Sequence, residues 1–145
     1  MKIIFLTGGD RDDSLKYLIK KKLDIVAIVT PKPNKKNTRF LNSIKTAKKN
    51  SIKNIFFNKD NIEKKLKNID FDLLISCGFT YILTKKVIRL AKKDAINVHP
   101  TLLPKYRGFR SGPYIIMNDE KETGVTIHQI SNNMDRGDIY LQKKI

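Results

Sequence analysis

Asn97 and His99 lie two residues apart in Ala95-Ile96-Asn97-Val98-His99, and Asp135 stands downstream in Met134-Asp-Arg-Gly137. Side chains of these three types suit acyl transfer to an amine. Attack of an amine on a formyl carbon makes a tetrahedral oxyanion, and an Asn97 amide N–H and a protonated His99 could both donate to it in a water-poor cleft. Asp135 beside His99 would favour the imidazolium. It could also accept the amine's excess proton, directly or through water. This chemistry needs no nucleophile, and none is evident. Cys77 stands in an apolar run and reads as a buried packing residue rather than a reactive thiol.

These residues need a rigid edge to hold them. In a strand Asn97 and His99 face one way while Ile96 and Val98 face the other. Pro100 ends the strand, and Pro104 and Gly108 keep the next stretch irregular. Upstream, residues 2–7, 23–30, 52–57 and 71–77 are short apolar runs of the kind buried on both faces of a sheet. Helical spacing separates them: Leu15, Leu18 and Ile19; Phe40, Leu41, Ile44 and Ala47; Ile62, Leu66 and Ile69; Val87, Ile88 and Ala91. Asp12, Asp13 and Ser14 supply start chemistry for the first helix, Asp60 with Glu63 resembles a capping box for the third, and Thr84 caps the fourth. Apolar strands alternating with amphipathic helices predict an α/β fold with a doubly wound, mostly parallel sheet. Residues 114–118 predict a helical turn, and residues 124–131 and 138–142 two further strands turning back across the active edge. An open sheet of this kind places its chemistry at the carboxyl ends of its strands.

The 145 residues make one domain, and a hydrophobic content of 40% argues against disorder. No apolar run approaches the roughly 18 residues of a membrane helix, and the short apolar start reads as a first strand rather than a signal peptide. A single cysteine leaves no internal disulfide, which favours the cytoplasm. The net charge of +16 invites a nucleic-acid reading. Its lysines, such as Lys20-Lys21-Lys22, Lys35-Lys36 and Lys64-Lys65, are nevertheless spread evenly, as on a solubilising surface that still admits an anionic substrate. The Gly8-Gly9 turn lacks dinucleotide-binding spacing and no acidic residue closes the second strand, so a small anion at the first helix suits it better than NAD. Two histidines and one cysteine cannot build a zinc site from dedicated soft ligands, and no metal is expected. His128 reads as a packed or partly exposed strand histidine.

The stretch Asn97-Val-His-Pro-Thr-Leu-Leu-Pro-Lys-Tyr-Arg-Gly108, with Thr123-Gly-Val-Thr-Ile127 and Met134-Asp-Arg-Gly-Asp138 behind it, resembles the 10-formyltetrahydrofolate-dependent formyltransferases. The resemblance spans the βαβ layout of the chain, and its specific motifs fall between residues 78 and 142. It implies a Rossmann-like formyltransferase domain with Asn97, His99 and Asp135 catalytic and 10-formyltetrahydrofolate as formyl donor. It also implies a folate pocket from Phe79, Tyr81, Ile82 and Leu83, with Val87 on the same side, and from the loop carrying Asn132, Asn133 and Met134. Ordinary core packing would explain any one of the four residues of the 79–83 segment equally well.

Departures from the family pattern shape the remaining expectations. Thr101 replaces a serine, and Asn132-Asn133 stand where relatives carry an acidic residue and glycine. The domain is taken as residues 1–145, with the C-terminal part of the family's core expected to be missing. The acceptor is expected to be a small, anionic amine, first a nucleotide-linked amino sugar, because the bridge Phe109-Arg110-Ser111-Gly112-Pro113 is not alanine-rich. Methionyl-tRNA and glycinamide ribonucleotide come next. The alternative class is a basic α/β binding module for RNA or an anionic metabolite.

Overall fold

The computed structural model describes residues 1–34, 38–58, 61–108 and 110–145. Among them the strands join into one seven-stranded sheet. In chain order its elements are β1 (Lys2–Leu6), α1 (Asp12–Lys20), β2 (Asp24–Pro31), α2 (Leu41–Lys49), β3 (Lys53–Phe57), α3 (Ile62–Leu66), β4 (Leu73–Cys77), α4 (Lys85–Ile88), β5 (Asp94–His99), α5 (Ser111–Met117), β6 (Gly124–Gln129) and β7 (Ile139–Lys144). The spatial order is β3-β2-β1-β4-β5-β6-β7. The first five strands run parallel, while β6 lies antiparallel to β5 and β7 antiparallel to β6.

Strand periodicity divides the core into two layers. Ile3 and Phe5 point to one face, where they pack with Leu15 of α1, Ala47 of α2, Ile25, Ile28 and Ile75. Ile4 and Leu6 point to the other, against Ile62 and Leu66 of α3, Val87 of α4, Val29, Ile55 and Leu74. With both faces covered, the parallel strands must be apolar at nearly every position, which is why they read as unbroken runs.

Helix ends differ in part from their expected caps. Thr84 does cap α4, accepting from the Val87 N–H at 3.4 Å. For α1 the N-cap position falls on Arg11 with no side-chain cap bond, so Asp12 and Asp13 sit inside the first turn. There their charge complements the helix dipole, and Asp12 pairs with Lys16 at 2.7 Å. The N-cap of α3 is Asn61, whose Oδ1 accepts from the Asn58 N–H. Asp60, and with it the expected capping box, lies outside the described residues, as do Lys35, Lys36 and Phe109. No helix among the described residues is long and apolar enough to cross a membrane.

The chain reverses its winding between β1 and β4, and their carboxyl ends meet where the Gly8 N–H donates to the Gly78 carbonyl at 3.1 Å. Gly78 turns there at φ 67°, and a Cβ on it would press on the Arg11 side chain at 3.0 Å. Only glycine takes up that backbone beside that neighbour without strain. Ligands of open α/β sheets bind outside such a switch point.

Candidate active site

A cleft of about 740 Å³ opens along this edge. Its floor is built by the carboxyl ends of β1, β4 and β5, and its walls by residues 78–83 on one side and the loop after β6 on the other. Asn97, His99 and Asp135 all line it. The strand alternation holds: Asn97 and His99 both reach the Asp135 carboxylate, Asn97 Nδ2 donating to Oδ1 at 3.3 Å and His99 Nδ1 lying 3.5 Å from Oδ2. Asp135 comes to them because residues 130–138 fold back over β6, with the Gln129 N–H donating to the Asp138 carbonyl at 2.8 Å. Gly137 permits that closure, since a Cβ on it would overlap the Gln129 carbonyl.

Asp135 is held tightly. Its own backbone is left-handed at φ 50°, a conformation that a short polar side chain tolerates better than most. Its Oδ2 accepts from the Gly108 N–H at 2.8 Å, and Arg107 Nε donates to its carbonyl at 3.0 Å. Burial by itself would raise its carboxyl. The His128 hydrogen bond, the Gly108 N–H and the neighbouring imidazoles of His99 and His128 outweigh it, and the group sits below the ordinary carboxylate value. Asp135 is therefore an anion at neutral pH, accepting from both sides.

His128 is the residue that sequence reasoning underrated. It is packed, as expected, at 2% exposure, but it also belongs to this site. It stands opposite Asn97 in the β5–β6 register. Its Nε2 lies 3.2 Å from Asn97 Nδ2 and 3.3 Å from Asp135 Oδ1. Its Nδ1 lies 2.8 Å from the Gln129 carbonyl and so must carry a hydrogen. Alternation along β6 puts Thr126 and His128 on one face, but which strand β6 would pair with, and in what register, was not readable. His99 is similarly enclosed, with Nε2 2.9 Å from the Tyr106 carbonyl. One of the two donors that a protonated His99 would have is thus spent inside the protein.

The residues expected to hold a folate separate into two groups. Phe79, Tyr81, Ile82, Leu83, Asn133 and Met134 line the cleft. Tyr81, Ile82 and Met134 are apolar or aromatic yet 43%, 67% and 47% exposed, so they leave an apolar wall facing the opening. Phe79 and Tyr81 are braced from beneath by Phe57, with ring centroids 4.8 and 5.0 Å away. Val87 is not on this wall: it is completely buried in the core under α4. Asn132 is exposed and stands outside the cleft lining. Cys77 is buried at the end of β4, 3.7 Å from Ser14 Oγ, and burial pushes its thiol up.

Arginines gather here in a way lysines do not. The chain has six arginines among thirty basic residues. Arg11, Arg39 and Arg110 line the cleft, Arg107 holds the Asp135 carbonyl, and Arg136 comes next to it in the loop. The type, not the number, was the available signal, because arginine's planar fork matches phosphate and carboxylate where lysine's point charge does not.

Known proteins share this chain's sequence pattern and fold. A family model described as formyl transferase matches residues 1–145. Methionyl-tRNA formyltransferase of Mycoplasma capricolum is 38% identical over 152 residues, taking in all of this chain and 48% of that protein. GDP-perosamine N-formyltransferase of Brucella melitensis is 42% identical over 78 residues, covering 54% of this chain and 30% of that protein. The chain spans about half the length of the curated relatives that it matches from end to end. Among solved structures, phosphoribosylglycinamide formyltransferase from Bacillus halodurans shares the fold at TM-score 0.83 and 21% identity, over all of this chain and 79% of its own. A sugar 3N-formyl transferase solved in the presence of dTDP and 5-N-formyl-THF aligns at TM-score 0.76 and 28% identity, over all of this chain and 52% of its own. With the family model matched over its whole length, the chain belongs to the formyl transferase family.

Proposed function

We propose that this chain carries the reacting site of an enzyme that transfers a formyl group from 10-formyltetrahydrofolate to a primary amine. The observation that carries the reading is the convergence of Asn97, His99 and Asp135 on one cleft with an apolar wall. A flat heteroaromatic ring needs apolar walls with peptide groups at its edge. Phe79, Tyr81, Ile82 and Leu83 lie on a segment outside helix and strand, so their backbone is not committed to a ladder. With Asn133 and Met134 opposite, these residues would hold the donor. When bound, the donor supplies the formyl carbon.

The chain's own groups then divide the work. Asn97 Nδ2 offers an amide hydrogen from the cleft floor to charge developing on an acyl oxygen, an interaction worth most where water is excluded. Asp135, ionised and half-enclosed, holds positive charge on the side where an amine sheds its proton. His99 stands between that carboxylate and the Tyr106 carbonyl, placed to take the proton at Nδ1. His128 fills the remaining side of Asp135 and Asn97.

For the acceptor we propose methionyl-tRNA ahead of the nucleotide-linked amino sugar favoured by the bridge sequence. Among the curated relatives, methionyl-tRNA formyltransferases align with all of this chain at 33–38% identity, whereas the curated amino-sugar relative covers 54% of it. Arg11, Arg39 and Arg110 around the cleft suit a phosphate-bearing acceptor of either kind. The amino sugar stays as the second reading on the strength of the 28% identical sugar enzyme. Labelled formyl donor offered to the whole protein with methionyl-tRNA, with dTDP- and GDP-amino sugars and with glycinamide ribonucleotide separates them. Label in methionyl-tRNA supports the first reading, and label in an amino sugar alone replaces it with the second. No transfer to any of them returns the protein to the class of binding modules.

A further inference from the structure

His99 has two nitrogens, and the fold has dealt with them differently. Nδ1 faces Asp135 Oδ2 at 3.5 Å, while Nε2 lies 2.9 Å from the Tyr106 carbonyl oxygen. A carbonyl oxygen only accepts, so Nε2 must bear the hydrogen, and in a neutral ring the bare nitrogen is Nδ1. The carbonyl that imposes this comes from a residue in the left-handed region, Tyr106 at φ 55°. A tyrosine does not rest there unaided.

Its side chain supplies the restraint. The Tyr106 hydroxyl donates to Glu120 Oε1 at 2.7 Å and accepts from Asn118 Nδ2 at 2.9 Å. Lys105 Nζ reaches both Glu120 oxygens at 3.2 and 3.3 Å, and together the tyrosine hydroxyl and Lys105 hold the Glu120 carboxyl below its ordinary value. Asn118 and Glu120 come directly after α5, with the Asn118 N–H bonded to the Tyr114 carbonyl. One residue therefore faces two ways: its phenol is clamped at the end of α5, and its carbonyl is presented to the imidazole.

Resting on the formyl-transfer reading of the site, we propose that Tyr106, braced by Glu120 and Asn118, is the positioning residue that fixes the tautomer and ring orientation of His99. Nε2–H is locked on the Tyr106 carbonyl, and Nδ1 is left as the basic nitrogen beside Asp135. When the attacking amine loses its proton, the amine N–H bond breaks and its electron pair stays on the amine nitrogen. A bond from that proton to Nδ1 forms, and the ring becomes an imidazolium. Both of its N–H groups then already have acceptors, the Tyr106 carbonyl and Asp135 Oδ2, so no reorganisation is needed at that moment. Without the brace, the loop carbonyl is free to turn away and the hydrogen can settle on Nδ1, facing Asp135, where it blocks uptake.

The test is Tyr106→Phe in the whole protein, with Glu120→Ala, Glu120→Gln and Asn118→Ala beside it. Ring ¹⁵N resonances of His99 report the tautomer directly and need no activity. In Tyr106→Phe and Glu120→Ala they are expected to move from an Nε2–H pattern toward a mixture, and Glu120→Gln, which keeps an acceptor oxygen, should hold the original pattern. Turnover should fall on the order of tenfold in the first two, short of the 10²–10⁴ attributed to an acid–base group itself, with the donor KM unchanged within about twofold. Should Tyr106→Phe not fold, the exposed Asn118→Ala carries the same expectation in weaker form. Unmoved His99 resonances in these variants would overturn the proposal even if turnover dropped, since a loop merely loosened would slow the enzyme without changing the tautomer. A shifted tautomer in a protein that transfers no formyl group would instead leave the positioning role standing and remove the proposed function.

Discussion

At Asp135 two oxygen atoms serve four neighbours: Oδ1 faces Asn97 and His128, and Oδ2 faces His99 and the Gly108 N–H. That crowding keeps the carboxyl ionised in spite of burial, and it has a consequence in stability. A carboxylate whose folded value is depressed adds stability above its ordinary 3.8, and that contribution drains away as pH falls through the lower folded value. Asp135→Asn should therefore destabilise the protein by about 1–3 kcal/mol at pH 7, with the gap to wild type narrowing toward pH 3. Urea midpoints at both pH values measure it. A gap of constant size would mean that the charge contributes nothing and only the shape matters. Asn97→Ala withdraws one amide donor from the cleft floor, and turnover should drop on the order of 10²–10³. Donor binding should survive, because in the proposed reaction the group acts on the transition state rather than the ground state. Single-turnover rates and a binding isotherm on the same variant separate the two.

At the scale of elements, the site depends on loops tied back to strands. The loop after β5 is stitched to β6 and β7 through Thr126 Oγ1, which accepts from the Leu103 N–H and donates to the Thr101 carbonyl, while Gln142 of β7 donates to the Leu103 carbonyl. Thr101 keeps the hydroxyl that a serine would have had, and uses it on the Lys105 carbonyl at 2.9 Å. The loop that carries Asp135 is closed at Gly137, against the Gln129 carbonyl. Gly137→Ala should then force the loop off β6, costing about 2 kcal/mol or more and displacing Asp135 two residues away, so that turnover falls with stability. Gly112→Ala makes the contrast: apart from its chain neighbours and its own helix backbone, a Cβ there meets nothing within 4 Å, and the residue is helical. It should leave stability within about 0.5 kcal/mol of wild type, since the helical gain over glycine is offset by Pro113, which disfavours a helical residue with a Cβ before it. Thermal unfolding of both variants checks the pair. Equal behaviour would show that close approach at Gly137 does not anchor the loop.

For the whole molecule, strand order decides where chemistry can occur. Since β1 and β4 are neighbours at the point where the winding reverses, a crevice opens at their carboxyl ends, and β5 beside them brings Asn97 and His99 to its edge. The antiparallel pair β6–β7 then closes the far side and supplies His128. A cleft of this size with Tyr81, Ile82 and Met134 on its walls should bind a non-transferring folate analogue. At about one hundred times its dissociation constant such a ligand adds roughly 2.7 kcal/mol to the unfolding free energy. The shift should persist in Asn97→Ala and shrink in Tyr81→Ala. Equal shifts in the two variants would place the ligand away from the 78–83 wall.

Local pattern was enough to set the layers of this protein. Apolar runs alternating with helical periodicity leave few arrangements that bury both faces of each strand, so the parallel α/β sheet and its strand positions were legible to within a residue or two. The polar pair Asn97 and His99 was legible too, because alternation is local geometry. Meetings between distant segments were not, and the packed chain alone fixes them. His128 joins the site through the β5–β6 register, the Tyr106 carbonyl reaches Nε2 of His99 through a left-handed turn, and Val87 turns into the core instead of the cleft. Residue type and spacing carry no record of register, of backbone carbonyl direction, or of which side of a short helix faces inward once its neighbours have packed. Those are set by the shape that remains after the sheet has closed.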